Sequence, residues 1–193
     1  MPVDTLTPVF LLVCGYLLGS LSSAIICCRV LGRADPRTGG SGNPGATNVL
    51  RLAGRDAAAL TLAGDVAKGA VAVAIARAVD AEPLIQALAG AAAFLGHLYP
   101  VFFGFRGGKG VATALGALVV ATPVAGLLTV ATWAVAWAIV RISAAAALTA
   151  FLLAPIYVGV TTHHTPLVIV AAAVSVLLFW RHRSNIRDLL GKC

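Results

Sequence analysis

The stretch Gly39-Gly40-Ser41-Gly42-Asn43-Pro44-Gly45-Ala46-Thr47-Asn48-Val49-Leu50-Arg51 is the one long polar break in a mostly apolar chain. Glycines let backbone N–H groups turn inward on an anion. Ser41, Asn43, Thr47 and Asn48 add neutral polar groups, and Arg51 adds a planar charged fork suited to phosphate. Gly40, Gly42 and Gly45 would supply the turns of such a cradle. Gly-Asn-Pro-Gly is equally ordinary turn chemistry, so the stretch alone fits either a phosphate cradle or a membrane-surface turn.

What flanks the break decides the class. Of 193 residues 60% are hydrophobic and only 11% are charged, too little polar surface to solvate a globule. The chain is expected to be a single all-α integral membrane domain over residues 1–193, with lipid as its solvent. Its net charge of +7 would suggest nucleic acid in a soluble protein; here the sign is read by position, and no nucleic-acid partner is expected. Cys14, Cys27, Cys28 and Cys193 have neither metal-ligand spacing nor a disulfide framework. No metal or cofactor is expected. Only Asp4 is charged before Arg29, so the basic region of a cleavable signal is missing and the first apolar segment is expected to stay as an anchor.

Seven apolar segments are long enough, or nearly so, to cross a bilayer: Thr7–Cys28, Ala57–Val79, Pro83–Phe103, Val111–Thr122, Val124–Val140, Ser143–Val160 and Thr165–Trp180. Pro123 marks either a short turn between the fourth and fifth or a kink in one helix. Arg29, Arg33, Arg37, Arg51, Arg55, Arg106, Lys109, Arg141, Arg181, Arg183, Arg187 and Lys192 fall on one side of such a topology. Asp4, Asp80, Glu82, His163 and His164 fall on the other, with Arg77 near that end. Seven transmembrane helices with the N-terminus outside and the C-terminus cytoplasmic satisfy the positive-inside rule. The second, fourth and sixth helices then begin at the cytoplasmic face, so their positive ends converge where Arg51, Lys109 and Arg141 lie. An anion site is expected there.

Gly104-Phe105-Arg106-Gly107-Gly108-Lys109-Gly110 looks like a P-loop, but the spacing fails. Phe103 stands where the first glycine of that motif belongs, and Gly110 stands where a magnesium-binding hydroxyl belongs. What remains is a lysine flexed by Gly107 and Gly108 at a helix N-terminus, read as a ligand contact. Asp65 and Lys68, three apart inside the second apolar segment, share a face and are read as a structural charge pair near the site. His182 and Asn185 would share a face if the last helix continues through them.

Together these stretches resemble the bacterial acyl-phosphate:glycerol-3-phosphate acyltransferases of the PlsY type over nearly the full chain. The resemblance rests on GSGNPGATNVLR at Gly40–Arg51, Asp65 with Lys68-Gly69, GHLYPVFFGFRGGKGVAT at Gly96–Thr113 and HRSNI at His182–Ile186. It implies a seven-helix inner-membrane enzyme with a cytoplasmic active site. Such an enzyme moves a fatty acyl group from acyl phosphate to the sn-1 hydroxyl of glycerol 3-phosphate in phospholipid synthesis. It further implies that Ser41, Asn43, Thr47, Asn48, Arg51, Lys109, His182 and Asn185 bind substrate or act in catalysis. Ser143 stands one place before Ala144, where a family serine is common, and is carried as a displaced substitute. Asp188 replaces a frequent basic residue. No His-x4-Asp motif is present, since Phe102, Val168, Ile169 and Arg187 follow the four histidines at that distance. A transporter or channel for glycerol 3-phosphate or phosphate is the reading from another class; the clustering of polar groups on one face stands against it.

Overall fold

In a computed structural model the described residues are Leu6–Gly191. Asp4, Lys192 and Cys193 lie outside them. Every regular element among them is helical: α1 Leu6–Gly19, α2 Ser23–Val30, α3 Ala46–Ala53, α4 Arg55–Ala78, α5 Pro83–Leu98, α6 Val111–Ala121, α7 Pro123–Val140, α8 Ser143–Thr162, α9 Thr165–Arg181 and α10 Arg183–Leu190. Short 3-10 turns at Pro36–Thr38 and Val101–Phe103 sit in the two long loops. The chain divides into two compact units, Met1–Ala121 and Thr122–Cys193.

In the first unit α4 is the hub, packing on α1, α2, α3, α5 and α6, while α1 also lies along α5. Small residues permit this. The interior is built largely from Ala and Gly, and a Cβ at Gly19 would land on the carbonyl of Ala93. In a membrane, where lipid is as apolar as leucine, such close backbone approach supplies much of the helix association. In the second unit α8 packs between α7 and α9. Its buried face is Ala146, Ala147, Ala150, Phe151, Ala154 and Val158.

All seven expected segments are helical, but they are not seven equal spans. Arg55–Ala78, Pro83–Phe103, Pro123–Val140 and Ser143–Thr162 are long and apolar enough to cross a bilayer. The bent pairs α1 with α2, at 42°, and α9 with α10, at 60°, raise the number to six. The segment that falls short is α6. Its 11 residues rise only about 16 Å against a hydrocarbon core of about 30 Å.

Pro123 resolves to a break. Thr122 leaves helical geometry (φ −139°, ψ 82°) and Pro123 opens α7, the position where a missing N–H costs nothing.

Two further departures are local. The polar break is not a loop through Arg51. It contains α3, an amphipathic helix whose buried residues are Asn48 and Val49 and whose exposed side carries Thr47, Leu50, Arg51 and Leu52. Val49 packs with Ala24, Cys28, Ala57 and Ala58, which draws the helix onto α2 and α4. Gly54, at φ +91°, then reverses the chain, so α4 starts at Arg55 rather than Ala57. At the other end the final helix does not run straight through His182, as a face shared with Asn185 would need.

Gly19→Val is expected to lower the thermal unfolding midpoint in detergent by forcing α1 off α5, costing about 1–3 kcal/mol or more. Gly159→Ala, whose new methyl would meet only Val168 at an ordinary 3.5 Å, is expected to leave the midpoint within error.

Candidate active site

The glycine-rich break is held from inside by one side chain. The Asn48 Oδ1 accepts the Ser41 backbone N–H at 3.0 Å, and its Nδ2 donates to Pro36 O at 2.9 Å and Gly39 O at 3.2 Å. Asn48 is buried, so these bonds replace water that cannot reach it. Gly40 must be glycine for two reasons. Its φ is +58°, and a Cβ there would collide with the Asn48 Oδ1. Asn48, expected to meet substrate, has both ends of its amide bonded to the loop's own backbone. Ser41, Gly40, Gly42, Thr47 and Arg51 are exposed, while Asn43 and Gly45 are half-buried.

A second clamp ties this loop to the next one. Asp35 Oδ1 accepts the Arg37 backbone N–H at 2.9 Å, and its carboxylate meets the Arg37 guanidinium at 2.7–3.1 Å. Arg37 also donates from Nη1 to Phe103 O at 3.1 Å, bridging to the segment just before Gly104. The side-chain hydrogen bonds from Arg37 hold the Asp35 carboxyl below the usual carboxylate range. Burial opposes them, while the Arg37 backbone N–H and the charges of Arg37 and Arg29 add to them. The guanidinium is raised in turn, chiefly by the same bonds.

The loop between α5 and α6 is built on His97. Gly108 N–H donates to His97 O at 3.1 Å, and a Cβ at Gly108 would strike the imidazole at Nε2. A Cβ at Gly107 would likewise strike the His97 carbonyl oxygen. His97 Nδ1 lies 3.3 Å from Thr113 Oγ1 and 3.5 Å from Asp65 Oδ1. Asp65 Oδ1 in turn lies 2.9 Å from Lys68 Nζ, which donates to Leu21 O at the break between α1 and α2. Asp65, Lys68, His97 and Thr113 are all buried. Lys109, half-buried, follows directly, and α6 begins two residues later. A lysine at a helix entry, on a backbone of glycines, is chemistry for an anion.

The second unit carries the remaining expected residues. Arg141 closes α7 in the left-handed conformation, with Nε on Ala138 O at 3.0 Å and its guanidinium over Trp137. Ser143, half-buried, is the first residue of α8. His182 is buried at the α9–α10 bend, where its N–H donates to Leu178 O and Phe179 O and its Nδ1 donates to Leu178 O at 2.8 Å. A carbonyl only accepts, so this bond places the hydrogen on Nδ1 and makes Nε2 the basic nitrogen of the neutral ring. Asn185 is half-buried in the first turn of α10. Among the described residues no group of His, Cys, Asp and Glu is placed to hold a metal ion.

A family model described as glycerol-3-phosphate acyltransferase matches residues 9–192, across both units. The chain belongs to the glycerol-3-phosphate acyltransferase family. A family member from Thioalkalivibrio sulfidiphilus is 53% identical over 91% of this chain and 86% of its own. One from Methylococcus capsulatus is 52% identical over 98% and 94%. Among solved structures, PlsY (YgiH), an integral membrane glycerol 3-phosphate acyltransferase, superposes in its glycerol 3-phosphate form with a TM-score of 0.91. It is 36% identical, over 96% of this chain and 93% of that one. Its lysophosphatidic acid form gives 0.89 at 35% identity. The family fold is thus a multi-pass integral membrane fold.

Sequence reading passed over His97 and the Asp35–Arg37 clamp. An ionisable residue in an otherwise apolar helix was the signal for the first, and Asp-Pro-Arg before a glycine run, an N-capped turn, for the second.

Asn48→Ala is expected to destabilise the protein by about 1–3 kcal/mol, because it leaves the Ser41 N–H and two carbonyls without their partner. Thermal unfolding in detergent measures it. A carboxyl depressed in the folded state stabilises in full above its unfolded value of about 3.9 and loses that contribution as pH falls through the folded value. Wild-type stability is therefore expected to fall more steeply with acid below about pH 4 than that of Asp35→Asn, by about 1 kcal/mol or less for so exposed a pair. Unfolding midpoints across pH 3–7 give the comparison.

Proposed function

We propose that this chain acylates the sn-1 hydroxyl of glycerol 3-phosphate with acyl phosphate as donor, giving lysophosphatidic acid and inorganic phosphate. The observation that carries the reading is the pair of glycine-rich loops. One leads into α3, which carries Arg51, the other carries Lys109, and Arg37 ties the two loops together. Two phosphate groups are what such a reaction brings together. Both are anionic, and their repulsion is the main obstacle to contact between hydroxyl and carbonyl. Arg51 with Ser41, Asn43 and Thr47 holds one phosphate, while Lys109 and the backbone around Gly107 hold the other.

Acyl phosphate is an activated mixed anhydride, so no acyl-enzyme is required. The hydroxyl oxygen attacks the acyl carbon and forms the ester bond, and the bond from that carbon to the bridging phosphate oxygen breaks. The phosphate leaves with the electron pair and its own oxygen takes the hydroxyl proton. Positioning then supplies much of the rate, since well-oriented reactants gain about 7–11 kcal/mol. His182, Asn185 and Ser143 are assigned to substrate orientation and catalysis, with Asn48 shaping the loop.

The basic residues of the loops support an orientation with the site facing the cytoplasm, the N-terminus outside and seven membrane passages in the bacterial inner membrane. α6 counts as a short passage. One family model spanning both units supports their acting as one acyltransferase domain.

The purified protein in detergent, given labelled glycerol 3-phosphate, is expected to form lysophosphatidic acid from palmitoyl phosphate and not from palmitoyl-CoA. Lys109→Ala is expected to lose at least about a hundredfold in kcat/KM, whereas His182→Ala retains measurable turnover because the donor carries its own base. Product from palmitoyl-CoA would overturn the donor assignment.

A further inference from the structure

The buried network centred on Asp65 is larger than a helix brace needs. An ion pair with its two ends in apolar surroundings costs desolvation that a well-packed hydrophobic pair would not. What a polar network gives in return is direction, because each member fixes the orientation of the next. The chain of contacts runs Leu21 O, Lys68, Asp65, His97, Gly108 and ends one residue from Lys109.

We propose that His97, oriented by Asp65 and Thr113, is a positioning residue that sets the Gly107–Lys109 backbone and so presents Lys109 to its phosphate. This rests on the reading of that loop as a phosphate holder. His97 holds Gly108 twice. Its carbonyl accepts the Gly108 N–H at 3.1 Å, and its ring lies where a Gly108 side chain would be. The Gly108 backbone thus runs against the face that the ring presents, and a ring turned out of place would no longer support it. Rotation is opposed from two helices, by Asp65 Oδ1 of α4 at 3.5 Å and by Thr113 Oγ1 of α6 at 3.3 Å on the same ring nitrogen. The Thr113 hydroxyl belongs to the first turn of the helix that Lys109 introduces, so loop and helix are set together.

Thr113→Val tests this with almost no change of shape, and His97→Asn tests it from the ring itself. Binding is read by ligand-induced thermal shift in detergent, separately for glycerol 3-phosphate and for a non-hydrolysable palmitoyl phosphonate, so that inactive variants remain measurable. Lys109→Ala identifies which ligand the loop holds. The expected result is that Thr113→Val and His97→Asn each weaken that same ligand about tenfold, the size of one lost buried hydrogen bond. The other ligand is unchanged, and neither variant weakens binding further in the Lys109→Ala background. Should His97→Asn fail to fold, Thr113→Val alone carries the comparison. Normal binding in Thr113→Val beside a defective Lys109→Ala overturns the positioning role alone. Equal loss for both ligands, or losses that add to that of Lys109→Ala, would reduce the network to general stability and overturn it too. Unchanged binding in Lys109→Ala overturns the phosphate reading of the loop itself.

Discussion

A carboxylate buried in an apolar helix bundle has to be neutralised where it stands, and the Asp65–Lys68 pair at 2.9 Å does this within one turn of α4. Neither charge ends there. Lys68 reaches the Leu21 carbonyl, which the break between α1 and α2 leaves without a helical donor, and Asp65 reaches His97, which carries the loop into α6. The break between α1 and α2 and the loop between α5 and α6 are thus referred to one helix. In lipid this is close to a necessity, since backbone that leaves helical geometry inside a bundle must be satisfied by protein. The ion pair supplies direction more than stability, and the close Gly and Ala contacts among α1, α4, α5 and α6 supply the adhesion.

The polar groups of the first unit divide by what they are bonded to. Asn48, Asp35 and Arg37 are turned onto backbone or onto each other, and the Gly108 N–H is turned onto His97. Ser41, Thr47 and Arg51 remain exposed on the same framework. A loop fixed from within can offer groups to an anion without reorganising, and preorganised groups act more strongly on developing charge than mobile ones. That division is the physical ground for reading the exposed set as the one that meets phosphate.

Much of this was legible in the residues. The apolar segments, the pairing of Asp65 with Lys68 and the clustering of glycines around Ser41 and Lys109 follow from spacing alone. α3 was not, because Thr47-Asn48-Val49-Leu50-Arg51 is short and sits behind Gly-Asn-Pro-Gly. Its helix is stabilised by burying Val49 among Ala24, Cys28, Ala57 and Ala58, contacts that span the sequence. The role of Asn48 was hidden for a related reason. An asparagine in a glycine-rich break is equally suited to a ligand or to the loop's own carbonyls, and only the fold decides which lies nearer. The bend at His182 has no sequence mark, since neither Gly nor Pro stands there.

The shortness of α6 has its own logic. Near their C-terminal ends α4 and α6 come together, with Arg77 donating to Val120 O at 3.4 Å, yet α6 has thirteen residues fewer. The two helices approach most closely where Gly69 faces Thr113 and Gly116 faces Val66, so α6 begins alongside the interior of α4 rather than beside its first turn. The segment that leads into α6, Gly104–Gly110, packs on α5 instead, and its backbone includes left-handed residues at Gly104, Phe105 and Gly110. Lys109, half-buried, follows directly on the glycine that lies against His97 of the Asp65 network. A half-buried charge acts through less water than one on the open surface, so its field is screened less.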